Sequence, residues 1–141
     1  LFVALKGQKV DGHRFVKNAF ELGAAACLIE ENFEGEIPGP MIKVASTLAA
    51  MQDLAAHYRA KFEIPVIGVT GSVGKTTTKE MIAAALGENL KVFKTEGNYN
   101  GQIGLPLTIF KLDSSYQVAI LEMGISELGE MDRLEKLRNQ P

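Results

Sequence analysis

The most specific chemistry in this chain of 141 residues lies in one run, Gly68-Val69-Thr70-Gly71-Ser72-Val73-Gly74-Lys75-Thr76-Thr77. The run follows an apolar, β-branched stretch and opens a helical pattern, which is the context a phosphate-binding loop requires. Glycines let the backbone curl until successive N–H groups point at phosphate oxygens. A helix N-terminus adds partial positive charge. Lys75 is placed to reach β- and γ-phosphates, and the Thr76 hydroxyl to bind Mg²⁺. The residues expected to hold ATP and Mg²⁺ are therefore Gly71, Ser72, Val73, Gly74, Lys75, Thr76 and Thr77. The strict pattern has a glycine five positions before Gly74, where this chain has Val69; the core Gly71-x-x-Gly74-Lys75-Thr76 is intact. The bland alternative is a glycine turn beside an ordinary helix-starting lysine.

Such a loop also needs an acid at the end of a neighbouring strand to hold the metal. Glu122 ends the apolar run Val118-Ala119-Ile120-Leu121 and is followed by Met123-Gly124. It is the expected metal carboxylate beside Thr76 and, with Lys75, the expected catalytic group. Its alternative is a strand-end glutamate in water. Lys79 and Glu80, further along the same helix, read as a solvated pair. His57 reads as a surface residue, Cys27 as inert core and Tyr99 as a loop anchor.

The elements that must position these groups alternate. Short apolar runs predict strands over residues 1–5, 25–30, 41–44, 65–70, 91–95 and 116–123. Helical spacing predicts helices over 13–22, with Gly23 as the stop, and from a Ser46 N-cap to about residue 62. The second presents Leu48, Met51, Leu54, Ala55, Tyr58 and Phe62 on one face. A helix over 76–90 is expected to turn Met81, Ile82, Ala85 and Leu86 inward. Leu128, Met131, Leu134 and Leu137 mark a last helix, with Asp132 and Lys136 paired on its wet face. Residues 6–12, 32–40 and 97–104 read as loops. The segment 105–112 is ambiguous, although Pro106 suits the first turn of a helix. Strands alternating with helices imply parallel sheets and the α/β class. A domain boundary is expected between about Phe62 and Pro65.

Composition bounds the function. Hydrophobic residues make up 46% and charged residues 23%, values of an ordinary globular chain rather than a disordered or collagen-like one. The net charge of −2, with no basic block, argues against a dedicated nucleic-acid binder. One cysteine allows no internal disulfide, and no spacing suggests zinc. No apolar stretch is long enough to cross a bilayer and no signal peptide is visible, so no membrane insertion and a cytoplasmic location are expected. The start at Leu1 and the end at Pro141 read as cuts, so the chain is expected to be a piece of a longer protein.

Over essentially its whole length the chain resembles the Mur ligase family. Phe2-Val3-Ala4-Leu5-Lys6-Gly7, followed by Asp11-Gly12-His13 and Phe15, resembles the family's N-terminal domain. Thr70-Gly71-Ser72-Val73-Gly74-Lys75-Thr76-Thr77-Thr78-Lys79-Glu80 resembles its ATP loop. Gly97-Asn98-Tyr99-Asn100, then Ile103-Gly104-Leu105-Pro106-Leu107-Thr108, resembles the segment after its second central strand, and Glu122-Met123-Gly124 and Gly129-Glu130-Met131 continue in register. Gly101 departs from a second Asn usual in the family.

The resemblance implies part of a small N-terminal UDP-sugar-binding domain with its linking helix over 1–63, and part of a central P-loop ATPase domain over 64–141. It implies a ligase of peptidoglycan precursor synthesis, and so of cell-wall growth, cell shape and division. ATP phosphorylates the carboxylate of a UDP-N-acetylmuramoyl-tripeptide, and the amine of D-alanyl-D-alanine attacks the acyl phosphate. The partners are these small molecules, with no nucleic acid, in a protein that is monomeric when complete; the isolated piece is expected to be inactive. Asn98 and Asn100 are implied to lie near the phosphate and the substrate carboxylate, with turn formation an equal reading. Lys6 and the 11–13 loop are implied to face the uridine nucleotide, with turn chemistry the alternative for Asp11 and Gly12. The competing functions are a sister ligase (MurE-like or cyanophycin-synthetase-like) and a P-loop ATPase switch.

Overall fold

The computed structural model describes residues 1–7 and 9–124. The helix expected around residues 128–137 lies outside them. Contacts divide the chain into Leu1–Met51 and Gln52–Pro141. The division falls inside a helix, earlier than the boundary that composition places near residues 62–65.

In the first unit three parallel strands, β1 (Phe2–Val3), β2 (Cys27–Glu30) and β3 (Met41–Val44), lie in the order β1-β2-β3. The expected first helix is a 3₁₀ turn, Gly12–Phe15, running into α1 (Val16–Glu21). Gly23 follows with φ 92°, the left-handed conformation of a glycine stop. Ala4, Val16, Ala19, Cys27 and Ile29 form the core. Burial pushes the Cys27 thiol up, so it stays protonated and inert. Val16 and Ala19 of the helical stretch are buried and Phe20 packs against this core, while Phe15 and Leu22 are exposed.

His13 organises the loop before this helix. The Glu30 N–H donates to its Nε2 at 2.9 Å, so Nδ1 carries the proton and donates to Asp11 Oδ1 at 2.6 Å. Asp11 also accepts from the His13 N–H at 2.9 Å. That backbone bond, then the ring, holds the Asp11 carboxyl below the usual carboxylate range. A side chain on Gly12 would lie 2.6 Å from the Leu5 carbonyl oxygen and 2.8 Å from its nitrogen. The loop is therefore closed by turn chemistry, with Lys6 bridged to Asp11.

The second helix, α2 (Thr47–Arg59), begins as expected: the Ala49 N–H donates to Ser46 Oγ at 3.3 Å. In the second unit its Ala55 and Ala56 join a core with Phe93, Leu105, Ile109, Leu112, Ala119, Leu121 and Met123. Leu54, expected on that face, is 44% exposed, and His57 is exposed as expected. Arg59 donates to the carbonyls of Phe62 and Ile64 and so fixes the chain's exit from the helix.

Strands β4 (Val66–Val69), β5 (Val92–Lys94) and β6 (Val118–Glu122) form a parallel sheet in the order β4-β6-β5. The last strand is thus the central one, and all five of its residues are buried, which explains its unbroken apolar run. Helix α3 (Lys75–Gly87) covers one face and α4 (Gly104–Ile109) lies on the other; the latter settles the ambiguous segment as helix, with Pro106 in its first turn. A side chain on Gly104 would lie 2.6 Å from Tyr99 Cα, so the 97–104 loop folds back tightly on α4. Tyr99 anchors there through its backbone, and its ring is exposed.

On α3 the sheet-facing stripe differs from the expected one. Lys79 and Ala83 are buried and Ile82 and Leu86 partly so, while Met81 is 68% exposed and Ala85 is also exposed. Hydrophobicity alone ranks Met81 above Lys79; the sheet beneath reverses that order.

These contacts make two glycine substitutions diverge. Gly12→Ala forces backbone apart and is expected to lower stability by about 1–3 kcal/mol. Gly87→Ala meets nothing within 4 Å and is expected to leave stability unchanged or raise it. Urea midpoints of the two variants check this; equal midpoints would refute the Gly12 contact.

Candidate functional site

Register brings the loop and the acid together. Val69, the last residue of β4, pairs with Glu122, the last residue of β6. Side chains alternate along a strand, so Glu122 points to the same face as Ile120, which packs with Ala83 of α3. Val69 is buried in that same cluster as the end of a strand, so the glycine of the strict motif is not needed there. The loop begins beyond it. Gly71 (φ 144°) and Gly74 (φ 78°) supply the positive-φ turns. Gly74 caps α3 with no side-chain hydrogen bond, which leaves the first-turn N–H groups without a side-chain acceptor.

Residues 71–74 are exposed, Val73 most of all. Lys75 Nζ donates back across the loop to the Gly71 carbonyl at 2.8 Å. The Thr76 hydroxyl donates to the Glu122 carboxylate, 3.0 Å from Oε2 and 3.2 Å from Oε1. Two groups expected from sequence to share a metal therefore stand side by side. Ser72 and Thr77 are exposed at the loop and first turn.

Glu122 itself is only 2% exposed. Asn100 Nδ2 donates to its Oε1 at 2.7 Å, and the Asn100 carbonyl accepts from the Gly124 N–H at 2.8 Å. The loop is thus clamped to the end of β6. A side chain on Gly124 would lie 3.1 Å from Asn100 Oδ1, a tight contact against the Asn100 amide. Asn98 is exposed and lies outside the cluster. Of the two asparagines, the structure brings only Asn100 to the carboxylate.

Lys79 corrects the sequence reading. It is 1% exposed rather than solvated. Its ammonium donates to the Thr95 carbonyl at 2.7 Å and lies 3.5 Å from Glu122 Oε2 and 3.4 Å from Glu80 Oε1. Glu80 remains at the surface, bridged to Lys94. Thr95, fully buried, accepts from the Glu122 N–H at 3.0 Å through Oγ1. One signal could have found Lys79: it follows Thr76 by three positions and so shares its helix face. Nothing in the sequence singles out Thr95.

Burial by itself would raise the Glu122 carboxyl. The hydrogen bonds from Asn100 and Thr76, and then the Lys79 charge, outweigh it and hold the group below the usual carboxylate range. Together these residues offer an ionised oxygen, a hydroxyl and a partly exposed ammonium at the mouth of a glycine loop.

Known proteins resemble this chain over nearly its whole length. Two family models match: "Mur ligase middle domain" over residues 69–140 and "Mur ligase family, catalytic domain" over residues 1–59. The UDP-N-acetylmuramoyl-tripeptide–D-alanyl-D-alanine ligase of Bacillus subtilis is 49% identical over 144 aligned residues, covering 99% of this chain and 31% of that protein. A crystal structure of MurF from Acinetobacter baumannii superposes with a TM-score of 0.88 at 36% identity, covering 96% of this chain and 30% of that one. MurF ligase from Thermotoga maritima, solved in complex with ADP, gives 0.87 at 38% identity, covering 96% and 31%. The chain thus spans less than a third of the length of these relatives. No described helix is long and apolar enough to cross a membrane.

The lowered Glu122 carboxyl has a pH signature. Its interactions contribute stability fully above the unfolded-chain value of about 4.3 and lose it as pH falls through the lower folded value. Glu122→Gln removes that component. The stability difference between the two proteins is expected to shrink as pH drops from about 6 to about 3. A pH-independent difference in acid-unfolding curves would contradict it.

Proposed function

This chain belongs to the Mur ligase family, and on that footing we propose that the protein carrying it is an ATP-dependent ligase joining D-alanyl-D-alanine to a UDP-N-acetylmuramoyl-tripeptide. The observation that carries the reading is the Glu122 carboxylate, buried and 3.0 Å from the Thr76 hydroxyl where the glycine loop opens. The printed names of the relatives support the choice of substrates. We propose residues 1–63 as part of the UDP-sugar-binding domain and 64–141 as part of the ATP-binding domain.

The residues fit Mg²⁺. A buried carboxylate and a hydroxyl are hard oxygen donors, and Mg²⁺ is typically held by one or two carboxylates together with substrate phosphates. Among the described residues no cluster of three or more His, Cys, Asp or Glu makes a self-sufficient cage, which suits a cation that arrives with a nucleotide. Thr76 and Glu122 would hold it. When bound, it supplies positive charge to the phosphate oxygens.

The chemical difficulty is that a carboxylate must attack a polyanion. The oxygen of the tripeptide carboxylate bonds to the γ-phosphorus as the bond to ADP breaks. The amine nitrogen of D-alanyl-D-alanine then bonds to the acyl carbon, phosphate departs with the electron pair of the broken C–O bond, and the nitrogen loses a proton. Lys75 sits on a flexible stem over the loop, held by one neutral carbonyl. It can exchange that partner for a phosphate oxygen at little cost and offset charge where it builds. The backbone of residues 71–77 binds and orients the phosphates. Asn100 holds the Glu122 carboxylate, and Asn98, exposed in the same loop, is the proposed substrate-facing group.

Phosphate release from Mg·ATP by the longest available form of the protein tests the reading, with the tripeptide nucleotide and D-alanyl-D-alanine added singly and together. Release requiring both is expected. Release that needs neither would make the protein a P-loop ATPase instead. Lys75→Ala and Glu122→Ala are each expected to lower turnover by at least about 10²- to 10³-fold; near-normal turnover in either removes that residue from the assignment.

A further inference from the structure

We propose that Lys79 is a positioning residue for the Glu122 carboxylate, fixing it for the cation that accompanies the nucleotide. The inference rests on the nucleotide reading above and adds a residue to it.

Four residues after Lys75, this second lysine has an opposite environment. Lys75 is partly exposed and touches one carbonyl of the exposed glycine loop. Lys79 is fully enclosed, and its ammonium is held by the Thr95 carbonyl and two carboxylates. One of those, Glu80, is at the surface and already bridged to Lys94. The other, Glu122, is as buried as Lys79 itself. An apolar side chain would fill this place on the α3 stripe without desolvating an ammonium. Of the groups that meet the ammonium, Glu122 is the one charge as buried as Lys79 itself.

The carboxylate is held from two sides. Asn100 takes Oε1 at 2.7 Å, Lys79 faces Oε2 at 3.5 Å, and the Thr76 hydroxyl lies astride both. Thr76 is the exposed partner, so the carboxylate is open only toward the glycine loop. There the Thr76 oxygen can keep its proton on Glu122 while turning its lone pairs to a cation. Lys79 also ties Glu122 to the sheet indirectly. It binds the Thr95 carbonyl, and Thr95 Oγ1 accepts from the Glu122 N–H. The carboxylate's backbone and its side chain are thus anchored to the end of β5 as one unit. A metal ligand oriented in this way loses about 10- to 100-fold in metal affinity when its supporting partner is removed.

The test is binding of a fluorescent ADP analogue to the longest available form of the protein, titrated with Mg²⁺ and also measured without it. In Lys79→Gln and Lys79→Met the Mg²⁺ needed for half-maximal binding is expected to rise about 10- to 100-fold, with metal-free nucleotide binding unchanged. Lys79→Arg is expected to restore part of the response. Ligand-free melting curves identify variants that fail to fold. Should Lys79→Met be one, the Gln and Arg variants decide between them. An unchanged Mg²⁺ requirement in Lys79→Gln, or equal responses of Gln and Arg, overturns the inference and leaves Lys79 a packing residue. If the unsubstituted protein shows no Mg²⁺-dependent nucleotide binding, the nucleotide reading itself fails, and that outcome is visible before any substitution is made.

Discussion

A carboxylate removed from water must be met by donors or it becomes neutral, and in this protein that requirement falls on Glu122. Its partners come from four places in the sequence: the first turn of α3 gives Thr76, the next turn Lys79, the end of β5 Thr95, and the loop before α4 Asn100. None of these segments adjoins Glu122 in the chain. Each must be delivered to within 3.5 Å by the sheet and its crossovers, so the ionised carboxylate reports that the strands β4, β5 and β6 are in register. The cost of leaving such a charge unpaired is several kcal/mol, comparable to the stability of a domain.

Strand order makes the delivery possible. Placing β6 between β4 and β5 puts the end of the acidic strand beside the start of the glycine loop and beside Thr95 at once. Ligands in open parallel sheets gather at these carboxyl ends. Alternation along β6 then divides the labour. Ala119, Leu121 and Met123 fill the core under α2 and α4, and Ile120 and Glu122 face α3. The polar site is therefore the continuation of an apolar stripe, where Ile120 against Ala83 gives way to Glu122 against Lys79 and Thr76.

The first unit solves a similar problem for a buried ring. Its one buried imidazole is satisfied on both nitrogens, by Asp11 and by the Glu30 N–H, and packs against Phe33. Gly12 is required because the Leu5 backbone occupies the space of a side chain. The motif quoted from the sequence here is thus used up in making a tight turn, which supports the turn reading of Asp11 and Gly12.

Much was legible in the chain itself. Short runs centred on apolar residues marked every described strand, most plainly β6, whose five residues are all buried. The strand–loop–helix turn was legible because Gly71, Gly74 and the helix that follows are all local features. Glu122 was legible because a charge ending a five-residue buried run is costly without a purpose. What the sequence left open was direction. Whether Lys79 or Met81 faces the sheet depends on what the facing strand presents, and that strand lies some forty residues away. Asn98 and Asn100 look alike in one dimension, and only the loop's closure onto Gly124 separates them. Local patterns record which residues can be buried or can bind. Only the tertiary structure decides which of them meet, because the partners are fixed by strand order and register rather than by distance along the chain.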